Sequence, residues 1–589
     1  MNLLTALDRI ILSRLVAIVL GCFAFFPNAD AVVPTPDGCY PHLTTAEGCN
    51  ALRVLTSGAA NTGVGWFSLS ANTTGSFNTG IGGGALALNT ADSNTAVGAA
   101  ALLLNISGTE NTAVGTAALV NNATGAFNNA LGAFALNANI DGSMNTAVGV
   151  GALESNLESG LTAVGADALF ANVTGIENTA VGTQALSQNI TGGDNTAVGW
   201  KALLNNDSTG NGNGVGNTAI GSQALLQNVE GESNNAIGAL ALANNTIGNR
   251  NQAMGVNALH NNLDGSLNVA VGHGALASNL HSGSNTAIGS NALMNNDSTG
   301  NGIAGGNTAI GTSALFSNTD GDANTADGAR ALMNNVGGRS NTAVGAGALE
   351  NSTDDFNTAV GTQALFASTS GIRNTALGLA ALGNLTSGND NIAIGVDAGF
   401  SLTSSEIFNI DIGNNGVTGE SSTIRIGNSF QTATFIAGII GNGPFGSAVS
   451  IDPATGQLGV SVSSERFKKD INSMGKTSEA IFSLKPVTFH YKNDKTDTQQ
   501  WGLIAEEVAK VNPALIAVDS EGKPYSVRYE QVNAMLLNEF LKEHRIVQEQ
   551  GATIAQLRHQ VEALTSGLQK VSAELQLIKP APQTALNNR

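Results

Sequence analysis

The chain repeats one short unit many times. A stretch of the form Asn-Thr-Ala-(Val/Ile)-Gly-x-x-Ala-Leu-x-x-Asn-x-x-Gly-x-x begins at Asn61, returns at Asn78, Asn94 and Asn111, and starts for the last time at Asn391. There are twenty copies, spaced by 16 or 17 residues except for two steps of 22. Both long steps carry the same insertion, Asn-Asn-Asp-Ser-Thr-Gly-Asn-Gly, at 205–212 and 295–302. Helical repeats usually need over ~30 residues per unit, so this period is too short for a helix pair and fits one turn of a β-solenoid. In Thr-Ala-Val-Gly, Thr and Val alternate to one face while Asn, Ala and Gly take the other. The Ala-Leu pair that follows is expected to form a second short strand or edge, and the glycines to supply turns with positive φ. Stacking sets like residues above one another, so the recurring Asn side chains are expected to form hydrogen-bonded ladders. At about 4.8 Å per coil, twenty coils make a rod on the order of 95 Å long.

Composition supports a rod over a set of ordinary cores. Charged residues are 12% and aromatics 5%, with 73 glycines, against about a quarter charged in common globular domains. Hydrophobic residues still reach 42%, which argues against wholesale disorder. The net charge of −19 argues against nucleic acid as a partner and favours a soluble surface protein. The seven His residues are scattered and form no HExxH-like set, so no metal is assigned, and no cofactor motif is present. Asp327, where the repeat usually has Val, reads as a tolerated local defect. Thr once per coil falls short of the flat double-Thr arrays that ice binding needs.

The N-terminal residues read as an export signal over 1–31. Arg9 and Arg14 lie in its charged start, Leu15 to Phe26 form a short apolar core, and Ala29-Asp30-Ala31 offers a small-x-small cleavage site. A membrane span needs about 20 apolar residues, so this stretch is too short for one. The reading implies a secreted or cell-surface protein. An alternative takes Val19-Leu20-Gly21-Cys22 as a lipoprotein box with Cys22 lipidated, although the apolar Phe23 to Phe26 after it is atypical. In an N-terminal cap over 32–60, Cys39 and Cys49 are a candidate disulfide in an oxidising compartment, with two free thiols as the alternative.

Beyond the repeats (61–408), a transition over 409–462 keeps strand-like alternation in Ile410-Asp411-Ile412 and Ile424-Arg425-Ile426, and Pro444 and Pro453 then mark a neck. From residue 461 Lys, Glu, Phe and Tyr become common. Val547, Ile554, Val561, Leu568 and Leu575 then take the a positions of a heptad over 546–578, with Leu557, Leu564, Val571 and Ile578 at d and Gln550 as the polar exception. A tail follows at 579–589. The expected architecture is mainly β: a repetitive β-solenoid or β-roll rod of 16–17-residue coils, a small α+β domain, and a C-terminal coiled-coil helix.

Two resemblances attach to these residues. Asn-Thr-Ala-Val-Gly with its Ala-Leu resembles the head repeats of trimeric bacterial adhesins, which form β-rolls in which three chains pack together. The last residues, Asn587-Asn588-Arg589, lack the amphipathic strand of those proteins' membrane barrel, so attachment is expected from elsewhere or the product is released. Ser463-Ser464-Glu465-Arg466-Phe467-Lys468-Lys469-Asp470-Ile471 resembles the opening signature of the S74 peptidases, the intramolecular chaperone domains of phage tail spikes and related fibres. Leu484-Lys485-Pro486-Val487-Thr488-Phe489, Gly502-Leu503-Ile504-Ala505-Glu506-Glu507-Val508, Pro513 and Tyr529 follow in order, so the resemblance covers 463–545. It implies a homotrimer and self-cleavage just before a serine, between Val462 and Ser463. Ser463 is the implied nucleophile and Lys468 its base, at most a single-turnover serine endopeptidase. Ser464 and Lys469 offer the same spacing; Ser463/Lys468 is preferred because Phe467 fills the family's apolar slot directly before its Lys. The family often has Asp after the nucleophile, where this chain has Ser464.

The function expected is a secreted fibre or adhesin-like stalk, trimerised by its chaperone end, with an unidentified surface or glycan ligand. A fibre that folds without cutting is the first alternative. A glycan-acting spike would need a carboxylate pair in a groove, and the acidic residues form no distinctive cluster. A calcium-binding rod would have to use Asp207 and Asp297 of the two insertions, which read instead as solvent loops.

Overall fold

The computed structural model describes residues 41–432, 434, 449–451, 458–460, 463–492, 494–519 and 521–577. The leader over 1–31 with Cys22, and Cys39, Pro444, Pro453, Val462, Ile578 and the tail lie outside the described residues. The chain divides into two compact units, Met1–Thr434 and Phe435–Arg589.

The first unit is a β-solenoid. Twenty-three three-residue strands, from β1 (Thr45–Glu47) and β2 (Thr62–Val64) to β22 (Ile410–Ile412) and β23 (Ile424–Ile426), form one sheet. Each strand pairs in parallel with the next in sequence, so Thr95, Ala96 and Val97 lie against Thr112, Ala113 and Val114. The 22-residue steps keep this register, Thr196 against Thr218 and Thr286 against Thr308. So do the 16-residue steps, for example Thr79 against Thr95. Length differences are therefore absorbed in the corner before the strand, and the sheet never slips. The ladder starts one coil before the first sequence copy and runs two strands past the last. At about 4.8 Å per rung it is on the order of 105 Å long.

Strand alternation places the middle residue inward. Ala96, Ala113 and Ala147 are fully buried, together with Leu102, Leu119 and Leu153 from the Ala-Leu pairs. Two Asn columns close the interior. Asn251 donates its backbone N–H to Asn234 Oδ1 (2.9 Å) and its Nδ2 to the carbonyl of Gly265 (2.8 Å). Asn245 Nδ2 donates to Asn228 Oδ1 (2.8 Å) and to the carbonyl of Gly248 (2.9 Å). A buried amide is costly unless its hydrogen bonds are made, and here each rung supplies the partners of the next. In the 16-residue coils the carbonyls of Ala91, Glu158 and Asp354 take over the role of the Gly carbonyl.

The Ala-Leu pair is not a second strand; it turns a corner. Leu102, Leu119 and Leu136 stand at φ 50–53°, a left-handed conformation that costs a non-glycine residue roughly 1–2 kcal/mol. The corner holds because each Leu is buried and its N–H donates across the ladder, as from Leu102 to the carbonyl of Ala118 (2.9 Å). Positive φ is thus carried by Leu as well as by the glycine that ends each strand. At that glycine the requirement is strict: Gly255 has φ +139° and a Cβ would lie 2.5 Å from the Gly272 carbonyl oxygen.

In the second unit, β24 (Val449–Ile451) pairs antiparallel with β25 (Leu458–Val460), and β26 (Val487–Phe489) with β27 (Gln500–Gly502). Helix α1 (Ala505–Val511) leads through Pro513 into the hairpin β28 (Ile516–Val518) and β29 (Pro524–Val527). The long helix α2 spans Tyr529–Leu577. Val508, Leu515, Ile516, Val527, Val532 and Met535 form the small buried core, with Met474, Ile481 and Leu484 packed against it. No helix among the described residues is long and apolar enough to cross a membrane.

Candidate functional site

Ser463 and Lys468 are brought together by one tight turn. Ser464 is extended (φ −66°, ψ 142°) and Glu465–Phe467 form a single 3-10 turn. Phe467 donates its N–H to the Ser464 carbonyl (3.1 Å) and Lys468 to that of Glu465 (2.9 Å). A five-residue separation is thereby folded back on itself, and Lys468 Nζ lies 3.3 Å from Ser463 Oγ, as donor to it. Among the described residues no such contact joins Ser464 to Lys469. Arg466 stacks its guanidinium 4.6 Å from the centre of the Phe467 ring.

This turn is exposed throughout, from Ser463 to Asp470. A hydroxyl becomes a competent nucleophile when a neighbouring base takes its proton. Lysine serves as that base where burial or nearby cations favour its neutral form. The single chain supplies the pairing and the short reach but leaves the pair open to water.

Downstream motifs shape the junctions on either side of α1. Gly502, which ends β27, sits where a Cβ would come 2.7 Å from Tyr529 Oη. That hydroxyl accepts the N–H of Leu503 (2.9 Å), so the first residue of α2 fixes the strand-to-helix junction. Asn512 Oδ1 accepts the N–H of Ala514 (3.0 Å) and caps the turn at Pro513.

A second polar cluster was not legible in the sequence. Ser478, in the 3-10 segment Gly475–Ser483, is fully buried against α2. It donates its hydroxyl to Glu539 Oε1, which also accepts from Lys542 Nζ (2.6 Å). Asn538 Nδ2 donates to Ser478 Oγ (2.6 Å). The Lys542 ammonium, and after it the Ser478 hydroxyl, hold the Glu539 carboxyl below the usual carboxylate range. Glu539 and Lys542 read as an ordinary i,i+3 surface pair; Ser478, 61 residues away from Glu539, gives no local signal.

The remaining predicted positions are spread along the molecule. The heptad residues Val547, Ile554, Leu557, Val561, Leu564, Leu568, Val571 and Leu575 all lie on α2 with 52–69% of their surface exposed. Asp207 and Asp297 are buried, and their loops wrap them. Asp207 Oδ2 accepts from the N–H and hydroxyl of Thr191 (2.8 and 2.6 Å), and Oδ1 from the N–H of Gly212 (3.2 Å). Asp297 accepts from the N–H groups of His281, Ser282 and Gly302. The insertions run over the surface, with Thr209, Asn211, Thr299 and Asn301 exposed, while Asp207 and Asp297 organise them from inside. No group of three His, Cys, Asp or Glu placed to hold a metal occurs among the described residues. Asp327 is exposed on the outward side of its strand, and Cys49 is half-buried in the turn after β1.

Residues 463–517 match the peptidase S74 family model, described as the chaperone of endosialidase. The matched segment is C-terminal to the repetitive solenoid and begins at Ser463. No curated protein matches the chain.

Proposed function

We propose that this chain is an exported fibre, a β-solenoid stalk that its C-terminal S74 segment assembles into a homotrimer before cutting itself off between Val462 and Ser463. One observation carries the reading: the matched family segment starts at the same serine whose Oγ meets Lys468 Nζ at 3.3 Å. A cut directly before that residue releases the whole segment. In the step, Ser463 Oγ attacks the Val462 carbonyl carbon while Lys468 takes the hydroxyl proton. The C–N bond of the peptide breaks, its nitrogen receives that proton, and an ester is left on Ser463. Water then hydrolyses the ester, leaving a carboxylate on Val462 and the free amine and hydroxyl of Ser463.

Assembly is supported by what the single chain leaves uncovered. Among the described residues of the second unit six apolar side chains form the buried core, a small core for a domain that must stand alone. A period-7 apolar stripe on α2 with no partner is the pattern that coiled coils cover with further copies. The S74 domains of fibres are typically homotrimeric, and mixed β-branched and Leu residues at a and d allow three strands. Export by residues 1–31 completes the reading.

Intact mass of the purified full chain beside Ser463→Ala and Lys468→Ala tests the cleavage. Wild type is expected to yield a fragment beginning at Ser463, and both variants to stay whole. Absence of that fragment from wild type would sink the cleavage, and a fragment beginning at Ser464 would assign it to the Ser464/Lys469 pair. Sedimentation of the Ser463→Ala chain reads the trimer separately. A fibre that does not cut is the second reading, favoured by the solvent exposure of the turn at 463–470.

A further inference from the structure

Glu539 is a costly residue to place where it stands. Burying a carboxylate is unfavourable unless it is paired and its remaining acceptors are used, and this unit has little apolar burial to offset the cost. Ser478 and Glu539 are the buried polar residues among those described beyond residue 434. Their network joins two pieces of chain with different roles. Ser478 belongs to the segment matched by the S74 model, whereas Asn538, Glu539 and Lys542 belong to α2, beyond the match. Asn538 Nδ2 also reaches the carbonyl of Gly475 (3.3 Å), and Lys542 Nζ lies 3.8 Å from Glu479. With Lys542 Nζ also 3.4 Å from Ser478 Oγ, five contacts converge on the turn Gly475–Glu479 from one face of α2.

An apolar contact between a short 3-10 segment and a helix tolerates sliding by a turn. A buried acceptor that must meet one donor of the facing segment, here the Ser478 hydroxyl, does not, and fixing register is the best-attested use of such groups. The segment so fixed follows the Ser463/Lys468 turn by a few residues, through Met474, which itself packs on the core. We infer that Glu539 is a positioning residue: by accepting from Ser478 it locks the S74 segment in one register on α2 and so holds the Ser463/Lys468 turn in its cutting geometry. The inference rests on the self-cleavage proposed above.

The test compares Glu539→Gln with Glu539→Met in the full chain. Both replacements are close in shape and uncharged, but only Gln keeps an acceptor for the Ser478 hydroxyl. Gln is expected to release the Ser463 fragment within about threefold of wild type and Met about 100-fold more slowly, the scale of loss that misplacing reacting groups brings. Circular dichroism and sedimentation should find both variants as helical and as assembled as wild type. Should Met prevent folding, Ser478→Ala removes the donor while leaving Glu539 paired with Lys542, and the same slow release is expected. Amide exchange over 475–483 gives a readout independent of cutting, with Gln protected like wild type and Met exchanging about tenfold faster. Equal exchange in the Gln and Met variants overturns the register lock. Equal release rates with unequal exchange overturn its positioning role. A wild type that never cuts refutes the self-cleavage and the positioning role with it, while the exchange comparison still decides the lock.

Discussion

At the scale of single residues, two adjacent glycines show what the stack permits. Gly82 ends its strand at φ +132°, and a Cβ there would lie 2.4 Å from the carbonyl oxygen of Gly98 on the next coil. That oxygen is backbone, so relief requires the whole rung to move. Gly83 has open space around its missing Cβ. Gly82→Ala should therefore cost more than about 2 kcal/mol, through strain at a left-handed position together with a backbone clash. Gly83→Ala should be neutral, or stabilising by up to about 1 kcal/mol through the unfolded chain. Denaturant melts of the two variants check this, and equal midpoints would refute the close-stacking account. The same residue scale shows why the Leu corners escaped the sequence reading. Every local rule disfavours Leu at positive φ, and only the finished stack, with the side chain sealed inside and the N–H used by the ladder, makes it the stable choice.

Elements were legible where repetition made them so. Alternation in Thr-Ala-Val marked the strands and set Asn and Ala on one face, and recurring Asn implied ladders, because like residues must sit above one another in a stack. That this face turns inward is settled by the burial of Ala96, Ala113 and their counterparts. The ends of the ladder were harder, since there the pattern breaks while the backbone continues. At β22 the core slot filled by Ala393 in the preceding strand holds Asp411, and at β23 it holds Arg425. Asp411 is buried, its Oδ2 makes no hydrogen bond, and Arg425 is engaged by Glu420 (2.8 Å). Burial first, and then the Glu420 carboxylate, push the Asp411 carboxyl up to about 6, against the opposing pull of Arg425. Glu406, a further carboxylate of these coils, is occupied by the N–H groups of Ser404 and Gly419. A folded-state pKa above the unfolded one means that the stabilisation is complete below about pH 4 and is lost as pH rises through about 6. The last coils should accordingly be firmer in acid by on the order of 1–2 kcal/mol. Asp411→Asn should abolish that dependence and stabilise the terminal coils at pH 7. Amide exchange over 410–427, followed from pH 4 to 7.5, measures it. An unchanged pH profile in Asp411→Asn would assign the dependence to another group.

Across the whole molecule, the outward side of the sheet poses the same question as α2. Ile288, Ile310, Val344 and Leu377 stand 36–46% exposed in one column, and the column runs rung by rung along the sheet. Apolar runs of this kind on an outward face mark surfaces where other chains pack. Further copies of the chain, already proposed from the heptad stripe of α2, are the partners that would cover the column. Asp327 interrupts the column between Ile310 and Val344, and its side chain makes no hydrogen bond or ion pair in the single chain. If the column faces water in the assembled fibre, Asp327→Val is a surface change worth about 0.5 kcal/mol or less. If copies pack along it, the wild type desolvates one carboxylate per chain, a penalty large for an unpaired charge, and Asp327→Val removes it. The variant's assembly should then withstand markedly more guanidinium before dissociating, with Asp327→Asn in between. Sedimentation across a guanidinium series on Ser463→Ala chains, which cannot lose their C-terminal segment through the proposed Ser463 reaction, reads this directly. Coincident dissociation of the chains with Asp327 intact and of both substituted forms would place the column in solvent and leave α2 alone to hold the copies together.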